Sequence, residues 1–219
     1  LDSLYNSKFL QALGMRAWPE NAHVFSSAKF KTLIHPTRED ITITGRAYKK
    51  LGPDSENVLT EPINISERSM INILLHHGTV ESYSGAESVY PERVTSPFAV
   101  EDLDGQLFTY AALGHCHDYM EVENAEGVLI GAYAGCLQGR TFEELGPRGM
   151  IHGQITSMED GAIAIELSAI EKAKNRIMYL AVDVTGLDSD LIKEEILLMI
   201  EELDVHTQSE VVGLSLEGK

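Results

Sequence analysis

Residues 72–78 read N-I-L-L-H-H-G and residues 113–119 read L-G-H-C-H-D-Y. Each is an apolar segment that runs into histidines beside a glycine, the pattern of a strand whose end turns sharply. In extended chain, residues i and i+2 face the same side. His115 and His117 can therefore present imidazoles to one pocket while Cys116 points elsewhere. Two metals about 3.5 to 4 Å apart could each take one of them. The chain holds eight histidines, and a single histidine is more often a hydrogen-bonded structural residue than a ligand. His23, His35, His152 and His206 carry no functional expectation on that ground; the paired clusters at strand ends do.

Outward from these two stretches the chain is strand-rich. Alternating or apolar runs predict strands at His23 to Ser26, Lys29 to Ile34, Ile41 to Tyr48, Met70 to Leu75, Tyr110 to Leu113, Val128 to Ala134, Met150 to Thr156 and Ala162 to Leu167. Asp2 to Leu13 shows three-to-four spacing of apolar residues with Gly14 in the C-cap place, which predicts a helix. Leu51 to Ser69 reads as punctuated loop, and the glycines and prolines between His76 and Val100 predict a long surface loop. Past Ile170 a strand at Arg176 to Val184, a helix at Leu187 to Leu203 with Asp188 as N-cap, and a strand at Val211 to Leu216 form a β-α-β unit. The predicted class is α/β (α+β), with a boundary between Ala169 and Asn175 dividing residues 1–169 from a small unit at 170–219.

Composition narrows the function. The chain has 219 residues and a mass of 24.1 kDa, with 17 basic against 34 acidic residues and a formal charge of -17. A broad basic surface that holds nucleic acid by phosphate neutralisation is thereby excluded, while a local or metal-mediated phosphate site is not. Two cysteines, Cys116 and Cys136, make no disulfide framework, and no apolar run approaches the ~18 residues of a membrane span. A soluble chain in a reducing cytoplasm with no membrane partner is the expectation. The first residue is Leu1 rather than Met, which suggests that the start is missing.

N-I-L-L-H-H-G, followed about forty residues later by A-L-G-H-C-H and then by Y-A-G-C-L-Q-G-R-T-F-E-E-L-G-P-R-G, resembles the second half of a calcineurin-like metallophosphoesterase of the SbcD and YhaO type, the DNA repair exonucleases. The resemblance covers Asn72 to Gly149. G-H-x-H is shared across that superfamily, whereas G-x-L-Q-G-R-x-x-x-E-x-G-x-x-G is narrower and points to the exonuclease branch. It implies the second half of a metallophosphoesterase β-sandwich flanked by helices, followed by part of a capping domain at 170–219 that selects DNA ends. It also implies phosphodiester hydrolysis with two divalent ions, usually manganese, with magnesium, iron or zinc as alternatives. By position His76 and His115 would share one ion and His117 would bind the other, with His77 either a ligand or a neighbour with no ligand role. Asp118 would orient an imidazole, and Gln138 and Arg140 would meet substrate, unless Arg140 instead pairs with Glu143 or Glu144 to hold its own loop. Cys116 reads as a packed thiol, and Cys136 stands where the family more often has Asn or Ser.

The D-x-H, G-D and G-N-H-D motifs with which such proteins begin are absent from this sequence. Neutral histidines supply no anionic bridge between two cations that repel strongly at short range. The expectation is a fragment with almost no activity of its own. The implied partners are DNA or another phosphodiester, an SbcC-like ATPase, and a second copy in a homodimer. Two rivals stand beside this reading: a mononuclear cupin-like protein, since His115, His117 and Glu121 satisfy H-x-H-x-x-x-E, and a non-catalytic scaffold half. The apolar stripe Leu191, Ile192, Ile196, Met199, Ile200 and Leu203 reads as core against its own sheet, widened by Leu197 and Leu198.

Overall fold

A computed structural model describes residues 25, 29–35, 37–47, 56–60, 63–65, 69–84, 93–158, 161–171, 176–202 and 210–217. The helix expected at Asp2 to Leu13 and most of the strand expected at His23 to Ser26 lie outside them.

Six strands form one mixed sheet: β1 (Lys31–His35), β2 (Arg38–Gly45), β3 (Ile71–His77), β4 (Tyr110–Gly114), β5 (Tyr119–Glu123) and β6 (Leu129–Ala134), in the order β1-β2-β3-β4-β6-β5. The inner strands β2, β3, β4 and β6 run parallel, and β1 and β5 close the two edges antiparallel. Parallel neighbours require crossover connections and burial on both faces, which suits the apolar runs of β3 and β4. The core cluster gathers Leu74, Val80, Phe98, Leu103, Leu113, Cys116, Val122 and Tyr133. Cys116 is a packed thiol within it. A one-turn helix, α1 (Val100–Asp104), contributes Leu103; neither α1 nor β5 is apparent from the sequence pattern, because each is short and carries two or more acidic residues among few apolar ones.

The alternation in β2 resolves against hydropathy. Thr42 and Thr44 are fully buried while Ile41 and Ile43 are half-buried. The threonines stay inside because their hydroxyls are paired: Thr42 donates to Asn72 Oδ1 at 2.5 Å, and the Thr44 and Thr32 hydroxyls meet at 2.8 Å.

β7 (Gly149–Ser157) and β8 (Ile163–Glu171) form an antiparallel hairpin in unbroken register from Gly149 opposite Glu171 to Ser157 opposite Ile163. A Cβ on Gly149 would run into the Ile170 carbonyl oxygen, so no side chain fits at the open end of the hairpin, opposite Glu171. A cavity of about 300 Å³ separates this hairpin from the large sheet, walled by Ile73, Leu113, Ala132, Ile151, Ile155 and Leu167.

β9 (Arg176–Asp183), α2 (Ser189–Glu202) and β10 (Glu210–Glu217) make the β-α-β unit, the two strands parallel in a sheet of their own. Asp188 caps α2, its carboxylate accepting from the Asp190 and Leu191 amides at 2.9 and 3.0 Å. Ile192, Ile196, Met199 and Ile200 are half-buried, but Leu191, Leu197 and Leu198 are exposed, so the helix covers its sheet with only part of its apolar stripe. Together these elements form a mixed α/β fold consistent with a metallophosphoesterase-like α+β architecture. Among the described residues the sheet is open and mostly parallel, whereas the cupin alternative calls for a closed barrel. Among the described residues no helix is long and apolar enough to cross a membrane.

Candidate functional site

The parallel register of β3 and β4 sets His76 opposite Leu113 and His77 opposite Gly114. Both strands end at the same level, where ligand sites of parallel sheets collect. His115 follows with φ 106°, a backbone conformation strained for a residue with a Cβ. Its imidazole meets that of His77 edge to face, with centroids 5.1 Å apart and an interplanar angle of 72°. Burial lowers the His77 pKa, and the nearby His115 and His117 lower it further. A neutral imidazole, the form these effects favour for His77, is the state in which a histidine can donate a lone pair to a cation.

His76 alternates to the opposite side of β3. It is 4% exposed, with its ring 5.4 Å from Phe98 in edge contact. Neither of its ring nitrogens has a hydrogen-bond partner of good geometry. Burial above all, then the charges of Arg46 and His77, push its pKa down to about 3 against a small opposing pull from the Ser96 backbone. His77, His115 and His117 thus share one edge of the sheet, while His76 is packed among aromatic side chains.

His117 is held by a carboxylate that the sequence reading assigned only as a pairing option for Arg140. Its Nδ1 lies 2.6 Å from Glu144 Oε1. An ionised carboxylate at that separation accepts from Nδ1–H, and the other ring nitrogen, Nε2, lies 3.4 Å from Arg140 Nη2. Glu144 also accepts from the Arg140 amide at 2.6 Å and from the Arg140 guanidinium at 3.0 Å. Burial alone would raise the Glu144 pKa, but these hydrogen bonds, the one from His117 and the Arg140 charge hold it at about 2. Arg140 therefore pairs with Glu144 and also reaches His117.

Asp118 does not orient an imidazole. It accepts from Tyr83 Oη at 2.9 Å and from Arg148 Nη1 at 2.9 Å. Arg148 is buried and also donates to the His117 and Leu145 carbonyls, so it braces the backbone that carries His117. Gln138 donates to the neighbouring Gly139 carbonyl at 3.4 Å. A second brace is Tyr133, which is fully buried; its hydroxyl donates to the Gly78 carbonyl at 2.8 Å and accepts from the Val80 amide at 3.0 Å. Glu144 and Arg148 sit four and eight residues after Arg140 within the quoted glycine-rich motif, a spacing that marks them as partners. Tyr133 has no such signal.

The described residues do not make a complete metal site. No group of three or more histidine, cysteine or carboxylate side chains among them converges on one point, and the carboxylates nearest the histidine edge, Glu144 and Asp118, are engaged by arginines. The edge offers neutral donors and one carboxylate-oriented imidazole, without an anionic bridge.

No protein-family model matches the chain. Over 142 residues it is 32% identical to the uncharacterized metallophosphoesterase YhaO of Bacillus subtilis (strain 168), an alignment that takes in 64% of this chain and 32% of that protein. The similarity supports the metallophosphoesterase superfamily. The chain spans about a third of the length of this relative.

Proposed function

We propose that this chain supplies the histidine edge of a metal-dependent phosphodiesterase that acts on DNA as an exonuclease. The observation that carries the reading is the joining of His77, His115 and His117 at the ends of β3 and β4, with His117 locked in the Nδ1-protonated form by Glu144. On this reading His77, His115 and His117 would be donors to two divalent ions, manganese first among them. Such ions, when bound, lower the pKa of water and stabilise charge on phosphoryl oxygens. The protein's own part is to favour the neutral form of His77 by burial, to hold His117 through its Nδ1 contact with Glu144, and to hold Arg140 beside it with a guanidinium that is mostly exposed and suited to a phosphate oxygen.

The described residues leave that centre short of carboxylate donors, so on this reading the 219-residue chain by itself turns over slowly or not at all. The test is hydrolysis of single- and double-stranded DNA and of bis(p-nitrophenyl) phosphate with manganese, by this chain and by the complete protein. Metal-dependent DNA cleavage by the complete protein, abolished by His117→Ala, supports the reading. Cleavage confined to small diesters overturns the DNA assignment, and equal turnover by the chain alone overturns the shortage of donors. A scaffold role, with an SbcC-like ATPase or a second copy as partner, is the outcome in which neither protein hydrolyses any diester.

A further inference from the structure

Beside His117 a cleft of about 300 Å³ opens between the start of β5, the end of β6 and the open end of the β7–β8 hairpin. That volume is at the lower end for small-molecule sites. Its walls include Tyr119, Cys136, Arg148, Met150 and Ile170, with Glu171 also in the lining. Two features are unusual for a surface next to a charged edge. Tyr119 and Met150, both 44% exposed, present large apolar side chains there, and the Tyr119 hydroxyl is tied to Glu121, which steadies the ring. In addition, the Arg148 side chain is 6% exposed and its Nε has no hydrogen-bond partner, so the wall carries a buried donor that the protein itself does not use.

We propose that this cleft receives the nucleobase of a nucleotide whose phosphate lies at the histidine edge. The proposal rests on the phosphodiesterase reading above. A flat ring suits it better than a second phosphate, because the walls are mostly apolar and Glu171 would repel an anion. A tyrosine ring and a methionine thioether are surfaces on which a base can stack without regard to sequence. His117 lines the same cleft, so a base and its own phosphate can be engaged at once, which favours a terminal nucleotide over one held within a duplex.

The experiment is NMR of this chain with methyl-labelled Met and ring-labelled Tyr, titrated with thymidine, and separately with deoxyribose and inorganic phosphate. Thymidine should shift Tyr119 and Met150, and deoxyribose should not. Tyr119→Ala should weaken thymidine binding by about five- to a hundredfold, the range for loss of one stacked base, while Tyr119→Phe should retain it. Matching circular dichroism and melting of the variants check the fold. Absent shifts, shifts produced equally by deoxyribose, or undiminished binding by Tyr119→Ala would overturn the proposal. Diester hydrolysis by the complete protein without thymidine binding removes the cleft alone. Thymidine binding without hydrolysis upholds the cleft and removes the catalytic reading.

Discussion

His76 allows a sharp test, because it is a titratable side chain shut inside the sheet with no hydrogen bond of good geometry to either nitrogen. Its pKa falls from 6.5 to about 3 on folding. The depressed value belongs to a base, so below pH 6.5 the unfolded chain binds a proton that the folded chain refuses. Stability is therefore whole above about pH 6.5 and drains as pH falls toward about 3. From well above 6.5 down to pH about 5 the integral covers about 1.5 pH units, worth about 2 kcal/mol at about 1.4 kcal/mol per unit. The perturbation is His76→Leu, close in volume and without polar atoms. In chelator-treated buffer, urea unfolding followed by circular dichroism at pH about 7.5 and about 5 should show the wild type losing about 2 kcal/mol more than the variant. At the higher pH the variant should match or exceed the wild type, since it no longer buries unpaired nitrogens. Equal acid losses in the two proteins would refute the reasoning.

Other consequences follow from the braces around the histidine edge. Glu144→Gln removes the charge that holds His117 and Arg140; it should lower stability at neutral pH by about 1 to 3 kcal/mol, read as a fall in melting temperature. The Glu144 contribution is complete above the ordinary carboxylate pKa of 4.5 and lost as pH falls toward about 2, so wild type and variant should converge in strong acid. Tyr133→Phe strands the Gly78 carbonyl and the Val80 amide inside the core and should cost about 1 to 3 kcal/mol, with faster amide exchange at Val80 than in the parent. Gly149→Ala drives a methyl group against the Ile170 carbonyl and should part β7 from β8, visible as lost protection of the hairpin amides; unchanged protection would show that the strands can separate there without loss.

The residues themselves carried a good deal. The apolar runs that became β3, β4 and β6, the β-α-β unit with its Asp188 cap, and the two histidine clusters are local signals, set by side-chain period and by residues suited to turns and caps. They point to the right fold class, and they put the histidine clusters at or just beyond the ends of β3 and β4. The helix α1 and the strand β5 escaped because V-E-D-L-D and Y-M-E-V-E are short and rich in acidic residues, unlike the more apolar β4 of the same length. The burial of Thr42 and Thr44 escaped because it depends on hydroxyl partners from neighbouring strands.

What only tertiary structure decided is which histidines meet. In sequence His76 and His77 are adjacent and chemically equal. In the sheet, alternation sends them to opposite sides, and the parallel register with β4 brings His77 beside His115 while His76 is enclosed by Phe98 and Phe30. Sequence determines the period of a strand, but pairing with another strand determines what each side of it faces. The tautomer of His117 has the same origin, because Glu144 comes from 27 residues further along the chain and its carboxylate reaches the ring only after the intervening segment has folded back.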